Sequence, residues 1–90
     1  MLEKQIEAYL IKKVKEKEGL CLKWTSSITG VPDRLIFWQS KVFLIELKTL
    51  KGVVSERQRV VFKQLEDQGH LVYVLRSYED VEAFITEFMY

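Results

Sequence analysis

One cysteine, one histidine and one proline occur in a chain of 90 residues. Cys21 alone cannot form a disulfide within the chain, which points to a reducing compartment, and it lies in no nucleophile–base motif. His70, with no second histidine or cysteine to complete a metal set, reads as a solvent-facing residue after a helix-ending glycine. The four glycines are scattered, so no loop is built to cradle phosphates and no nucleotide cofactor is expected. No run approaches the roughly 18 apolar residues of a membrane span, and no apolar signal core opens the chain. The expectation is a cytoplasmic protein without a membrane partner. Repeats, low-complexity tracts and linkers are missing too, leaving a single domain over residues 1–90.

What is present is 48% hydrophobic and 30% charged residues, enough for one thin core. A domain of this size buries a little over ~60% of its unfolded surface, so association into a dimer would reinforce it. Net charge is +1, which argues against a strongly basic coat, but its distribution is uneven. Residues 1–63 carry 13 basic and 7 acidic side chains, whereas residues 64–90 carry 1 basic and 6 acidic. Two readings are open: a positive working face with a negative back, or charges clustered by chance on solvated faces.

Periodicity predicts the order α-β-β-β-α-β-α. Leu2, Ile6, Leu10 and Val14 recur every four residues, with Tyr9 beside them, for a helix from residue 2 to about 17 that Gly19 ends. "LCLKWTS" alternates as a short strand, and a loop runs to Gly30. A second strand starts near Pro32, "QSK" turns the chain, and "VFLIELKTL" is the third strand, a hairpin partner of the second. "SERQRVVFKQLEDQG" reads as a helix between an N-cap at Ser55 and a stop at Gly69. "HLVYVLRS" is a fourth strand, and Val81, Phe84, Ile85 and Phe88 form the apolar stripe of a last helix. Trp38 suits the core, while Trp24 and Tyr90 offer surface for a dimer interface.

Two places break the apolar pattern of the strands. Asp33 follows Pro32 at the mouth of "RLIFW", where an unpartnered carboxylate is costly. Glu46 and Lys48 in "IELK" project to one face while Ile45 and Leu47 project to the other. If the two strands pair, Asp33 and Glu46 come close. Two carboxylates repel, and a divalent cation with oxygen ligands removes that penalty, filling its remaining positions with water and phosphate oxygens. Such a cation would polarise a phosphate and acidify a bound water, with Lys48 orienting or activating the water and offsetting charge on phosphorus. The bland alternative makes Glu46 and Lys48 a surface pair and leaves Asp33 and Arg34 to turn chemistry.

"GVPDRLIF", then "VFLIELKT", then "VVSERQRVVFKQLEDQGHLVYVL" resembles the VRR-NUC family of the PD-(D/E)xK nuclease superfamily. Pro32-Asp33, Glu46-x-Lys48, Gly52, Ser55, Gln58 and Gly69 carry the likeness, which spans nearly the whole chain. The resemblance implies a restriction-endonuclease-like αβββαβ core, here with an additional C-terminal helix. It also implies Mg²⁺ or Mn²⁺ dependence and hydrolysis of DNA, with short stand-alone members similar to dimeric Holliday-junction resolvases. The setting expected is a bacterial or virus-infected cell.

Residue by residue, the likeness implies Asp33, Glu46, Leu47 and Glu3 as the metal set, and Lys48 and Gln58 as catalytic partners of Asp33 and Glu46. Glu3 is preferred on family spacing; Glu7 is the alternative helix carboxylate, and either also suits the helix dipole. Gln58 has a second reading, since "SERQ" fits a capping box. Lys51, Arg57, Arg59 and Lys63 flank the site in sequence as candidate DNA-phosphate contacts. The rival to a branched-DNA endonuclease acting as a homodimer is a nuclease-like module that binds DNA or protein without cutting. A purely structural interaction domain is a third class.

Overall fold

The structure is a computed structural model describing all 90 residues. It contains α1 (Glu3–Glu16), β1 (Leu20–Lys23), β2 (Arg34–Trp38), β3 (Lys41–Leu47), α2 (Glu56–Asp67), β4 (Val72–Leu75) and α3 (Tyr78–Phe88), in the predicted order. The strands form one mixed sheet in the order β1-β2-β3-β4. β1, β2 and β3 are antiparallel, and β4 joins β3 in parallel through the α2 crossover.

Residue type explains the turns. Gln39 and Ser40 both have positive φ (46° and 65°) and join the β2–β3 pair Trp38↔Lys41 as a two-residue hairpin. That left-handed pair matches the twist of the flanking strands. Gly69 (φ 94°) ends α2 as expected, with the His70 N–H donating to the Leu65 carbonyl at 3.0 Å. At the end of α1 the left-handed residue is Glu18 (φ 64°), not Gly19. Gly19 instead sits in a tight place, where a Cβ would lie 3.0 Å from Val14 Cγ1 and 3.1 Å from Met89 Cε.

Alternation along the strands sorts side chains between the two faces. Ile36, Trp38, Phe43, Ile45, Leu47 and Leu75 join Ile6, Leu10 and Val14 of α1 and Val81, Phe84 and Ile85 of α3 in a core of 13 residues, completed by Met89. Trp38 takes the predicted core place, its indole N–H donating to the Lys17 carbonyl at 3.0 Å. Leu2 departs from the stripe: it is the N-cap of α1 and exposed. Tyr90 is exposed as well.

The opposite face carries α2, whose Val61 is buried. α2 covers only part of that face. Leu20, Leu22, Phe37 and Val42 alternate with core residues of β1, β2 and β3 and remain exposed at 38–59%. The charge halves do not resolve into a positive and a negative side either, because lysine-rich α1 packs beside acidic α3, with Lys13 3.2 Å from Glu82.

Candidate functional site

The site lies under the first turn of α2, at the end of β3. Glu46 points away from the core, between Ile45 and Leu47, and is 1% exposed. Its Oε2 accepts from Gln58 Nε2 at 2.7 Å and lies 3.2 Å from Lys48 Nζ. Its Oε1 is buried with no partner at all. Burial pushes the Glu46 carboxyl above the usual carboxylate range, and the neighbouring Asp33 charge pushes it the same way, while Lys48 and Gln58 oppose them.

Asp33 stands immediately before β2, with Pro32 buried behind it. Its Oδ2 accepts from the Leu47 N–H at 2.9 Å, which ties the mouth of β2 to the end of β3. Leu47 itself sends its side chain into the core, so its main-chain carbonyl is the only oxygen it could offer a cation. Lys48 follows the last residue of β3, and its N–H donates to the Leu75 carbonyl at 3.2 Å.

Gln58 fills both roles that its position allows. Its amide oxygen accepts from the Ser55 N–H at 3.0 Å and its own N–H reaches Ser55 Oγ at 3.1 Å, closing the capping box. The remaining amide nitrogen is free to hold Glu46.

The helix carboxylates do not join this group. α1 packs against the opposite face of the sheet, where Glu7 forms a 3.0 Å ion pair with Arg34 Nε and Glu3 is exposed. No three Asp, Glu, His or Cys side chains gather anywhere in the chain as a metal set. With Glu7 paired to Arg34 and Glu3 exposed, the carboxylates that the structure brings together here are Asp33 and Glu46. The same observation accounts for Arg34: alternation sends it to the face opposite Asp33, where it binds Glu7 and, at 3.4 Å, the Cys21 carbonyl. Burial pushes the Cys21 thiol up to about 11, which keeps it protonated and unreactive at neutral pH.

Of the four candidate phosphate contacts, Arg57, Arg59 and Lys63 share one open, shallow face of α2 with Glu56, Val60 and Gln64. Lys51 lies apart, in a recess shared with Thr49, Leu50 and Arg76. Arg76 was not singled out in the sequence. Its Nη1 donates to the Thr49 carbonyl at 2.9 Å and the Gly52 carbonyl at 2.6 Å, bracing the loop that follows Lys48. The one available signal was that it is the lone cation of residues 64–90.

A VRR-NUC domain profile matches residues 2–79. The chain belongs to the VRR-NUC domain family. VRR-NUC domains are nuclease-like as a family. A solved structure titled VRR_NUC domain superposes with a TM-score of 0.88 at 20% sequence identity, covering 96% of both chains, so the two share a fold. No curated protein matches.

Proposed function

We propose that this VRR-NUC domain is a metal-dependent DNA endonuclease, with Mg²⁺ or Mn²⁺ held by Asp33 and Glu46. The observation that carries the reading is Glu46 Oε1, a buried carboxylate oxygen without a partner beside a second carboxylate. Leaving such an atom unsatisfied is costly, and a hard cation with oxygen ligands fits the donors present. When bound, the ion would supply Lewis acidity toward a phosphodiester.

The remaining tasks fall to side chains in view. Gln58 and Lys48 occupy Glu46 Oε2, which fixes the carboxylate and leaves Oε1 for the ion. Lys48, with 17% of its side chain exposed, is the cation available to orient water and to offset charge building on the phosphate. Arg76 holds the adjacent loop, so it acts through position. Arg57, Arg59 and Lys63 provide an electrostatic track for the DNA backbone.

The finer reading is activity on branched DNA such as Holliday junctions by a homodimer. The thin core and the exposed apolar strip of Leu20, Leu22, Phe37 and Val42 support a second copy. Sedimentation at micromolar concentration is expected to show a dimer, and a monomer there rejects that part. For the activity, four-way junction, splayed-arm and linear duplex DNA are incubated with Mg²⁺, Mn²⁺ or chelator. Metal-dependent cutting that prefers the junction and disappears in Lys48→Ala is expected. Absence of cutting with either metal, or equal cutting by Lys48→Ala, defeats the mechanism.

A further inference from the structure

A second concavity opens beside the site. Trp24 continues β1 by one residue, its N–H donating to the Asp33 carbonyl at 3.1 Å, so it is the ladder neighbour of Asp33. The Lys23↔Arg34 pair next to it faces α1, and alternation therefore turns Trp24 to the α2 side, with Asp33 and Glu46.

There Trp24 and Ile28 face Val61 and Leu65 of α2 across a slot of about 260 Å³, and the amides of Gln64 and Gln68 also line it. The loop between β1 and β2 is held over α2 at close quarters. Arg57 Nε donates to the Thr29 carbonyl at 3.2 Å, and at Gly30 (φ 104°) a Cβ would come within 3.0 Å of the Arg57 carbonyl. Gln64 lines both this slot and the face of Arg57, Arg59 and Lys63. A helix face carrying three cations thus adjoins an aromatic, largely apolar slot at Gln64, which is the pairing by which single-stranded nucleic acid is held: cations along the backbone and a ring under the base.

We infer that the slot takes an unpaired nucleobase of the DNA whose backbone follows that face of α2. Trp24 is the stacking surface, and the Gln64 and Gln68 amides meet polar edges of the base. A fully paired duplex keeps its bases stacked internally and offers nothing to the slot. This deepens the nuclease reading and rests on its DNA partner, not on cleavage.

The test is equilibrium binding by the full chain in chelator to a labelled hairpin carrying one unpaired thymine, to the same hairpin abasic at that position, and to the fully paired hairpin. Base–aromatic stacking contributes roughly 1–3 kcal/mol, so the thymine should tighten binding by about 5- to 150-fold over the abasic form. It should also quench tryptophan emission, which the abasic form should not. Trp24→Ala removes the discrimination and Trp24→Phe retains most of it. Ile28, 54% exposed, supplies a second variant should Trp24→Ala fail to fold: Ile28→Glu also abolishes discrimination.

Equal wild-type affinity for thymine and abasic hairpins overturns the inference, as does discrimination that survives in both slot variants. A wild-type dimer split by Ile28→Glu assigns the slot to a second copy and overturns it too. Base discrimination without cutting defeats the nuclease reading alone, whereas cutting without discrimination defeats the slot alone.

Discussion

The two faces of the sheet are built from alternate residues of the same strands and solve opposite problems. Toward α1 and α3, Ile45 and Leu47 enter a core of 13 buried residues, and the charged groups at its margin pair with one another, Arg34 with Glu7 and Lys13 with Glu82. Toward α2, Glu46 is as buried as its neighbours yet keeps an unpartnered oxygen, and Leu20, Leu22, Phe37 and Val42 stay exposed. One face is finished by the chain itself. The other is unsatisfied in both polar and apolar terms, with a buried carboxylate oxygen left over and an apolar strip uncovered.

Adjacent substitutions on β3 give the strongest test of that contrast. Ile45→Ala should cost about 2–5 kcal/mol in urea unfolding, because it opens a cavity in the closed face. Glu46→Gln, one residue on, should lower the urea midpoint in chelator by less than Ile45→Ala, since it keeps the volume and an acceptor for Gln58 and removes a charge held above the usual carboxylate range, which offsets the ion pair lost by Lys48. Its main loss appears elsewhere: Mg²⁺ should raise the wild-type midpoint, by about 2.7 kcal/mol in stability at 100 times Kd, and not that of the variant. A large loss of stability in Glu46→Gln would erase the difference between the faces.

Arg76→Ala should destabilise by roughly 1–3 kcal/mol, because two loop carbonyls lose a charged donor. Cleavage should fall further than DNA affinity, and Arg76→Lys should recover only part of it, since an ammonium lacks the planar fork. The smallest effect is expected at Lys63, whose ion pair with Asp67 is exposed. Lys63→Ala should shift stability by no more than about 0.5 kcal/mol while reducing the salt slope of DNA binding by about 1.

Much of this is legible in the sequence. Alternation in "IELK" separated Glu46 and Lys48 from Ile45 and Leu47, and Pro32 marked where β2 begins, because both signals are local and periodic. The side of the sheet to which α1 belongs was not legible. Amphipathic spacing shows which flank of a helix turns inward, not which face of a sheet it covers, so spacing alone leaves Glu3 and Glu7 open to either face, whereas in the fold Glu7 pairs with Arg34 on the core side of the sheet. Lys51 was grouped with Arg57 for the same reason, since nearness in sequence says little once the chain passes from a loop into a helix. Arg76 acts through main-chain carbonyls 24 and 27 residues away, and no spacing rule reaches that far.

Gln58 spans two kinds of structure: it closes the cap of α2 and grips Glu46. The ends of helices fray, so the first turn of α2 can unwind without global unfolding. Each such opening frees the Glu46 carboxylate from its amide. Slow hydrogen exchange at the Gln58 amide, which donates to Ser55, reports how long the carboxylates stay in register.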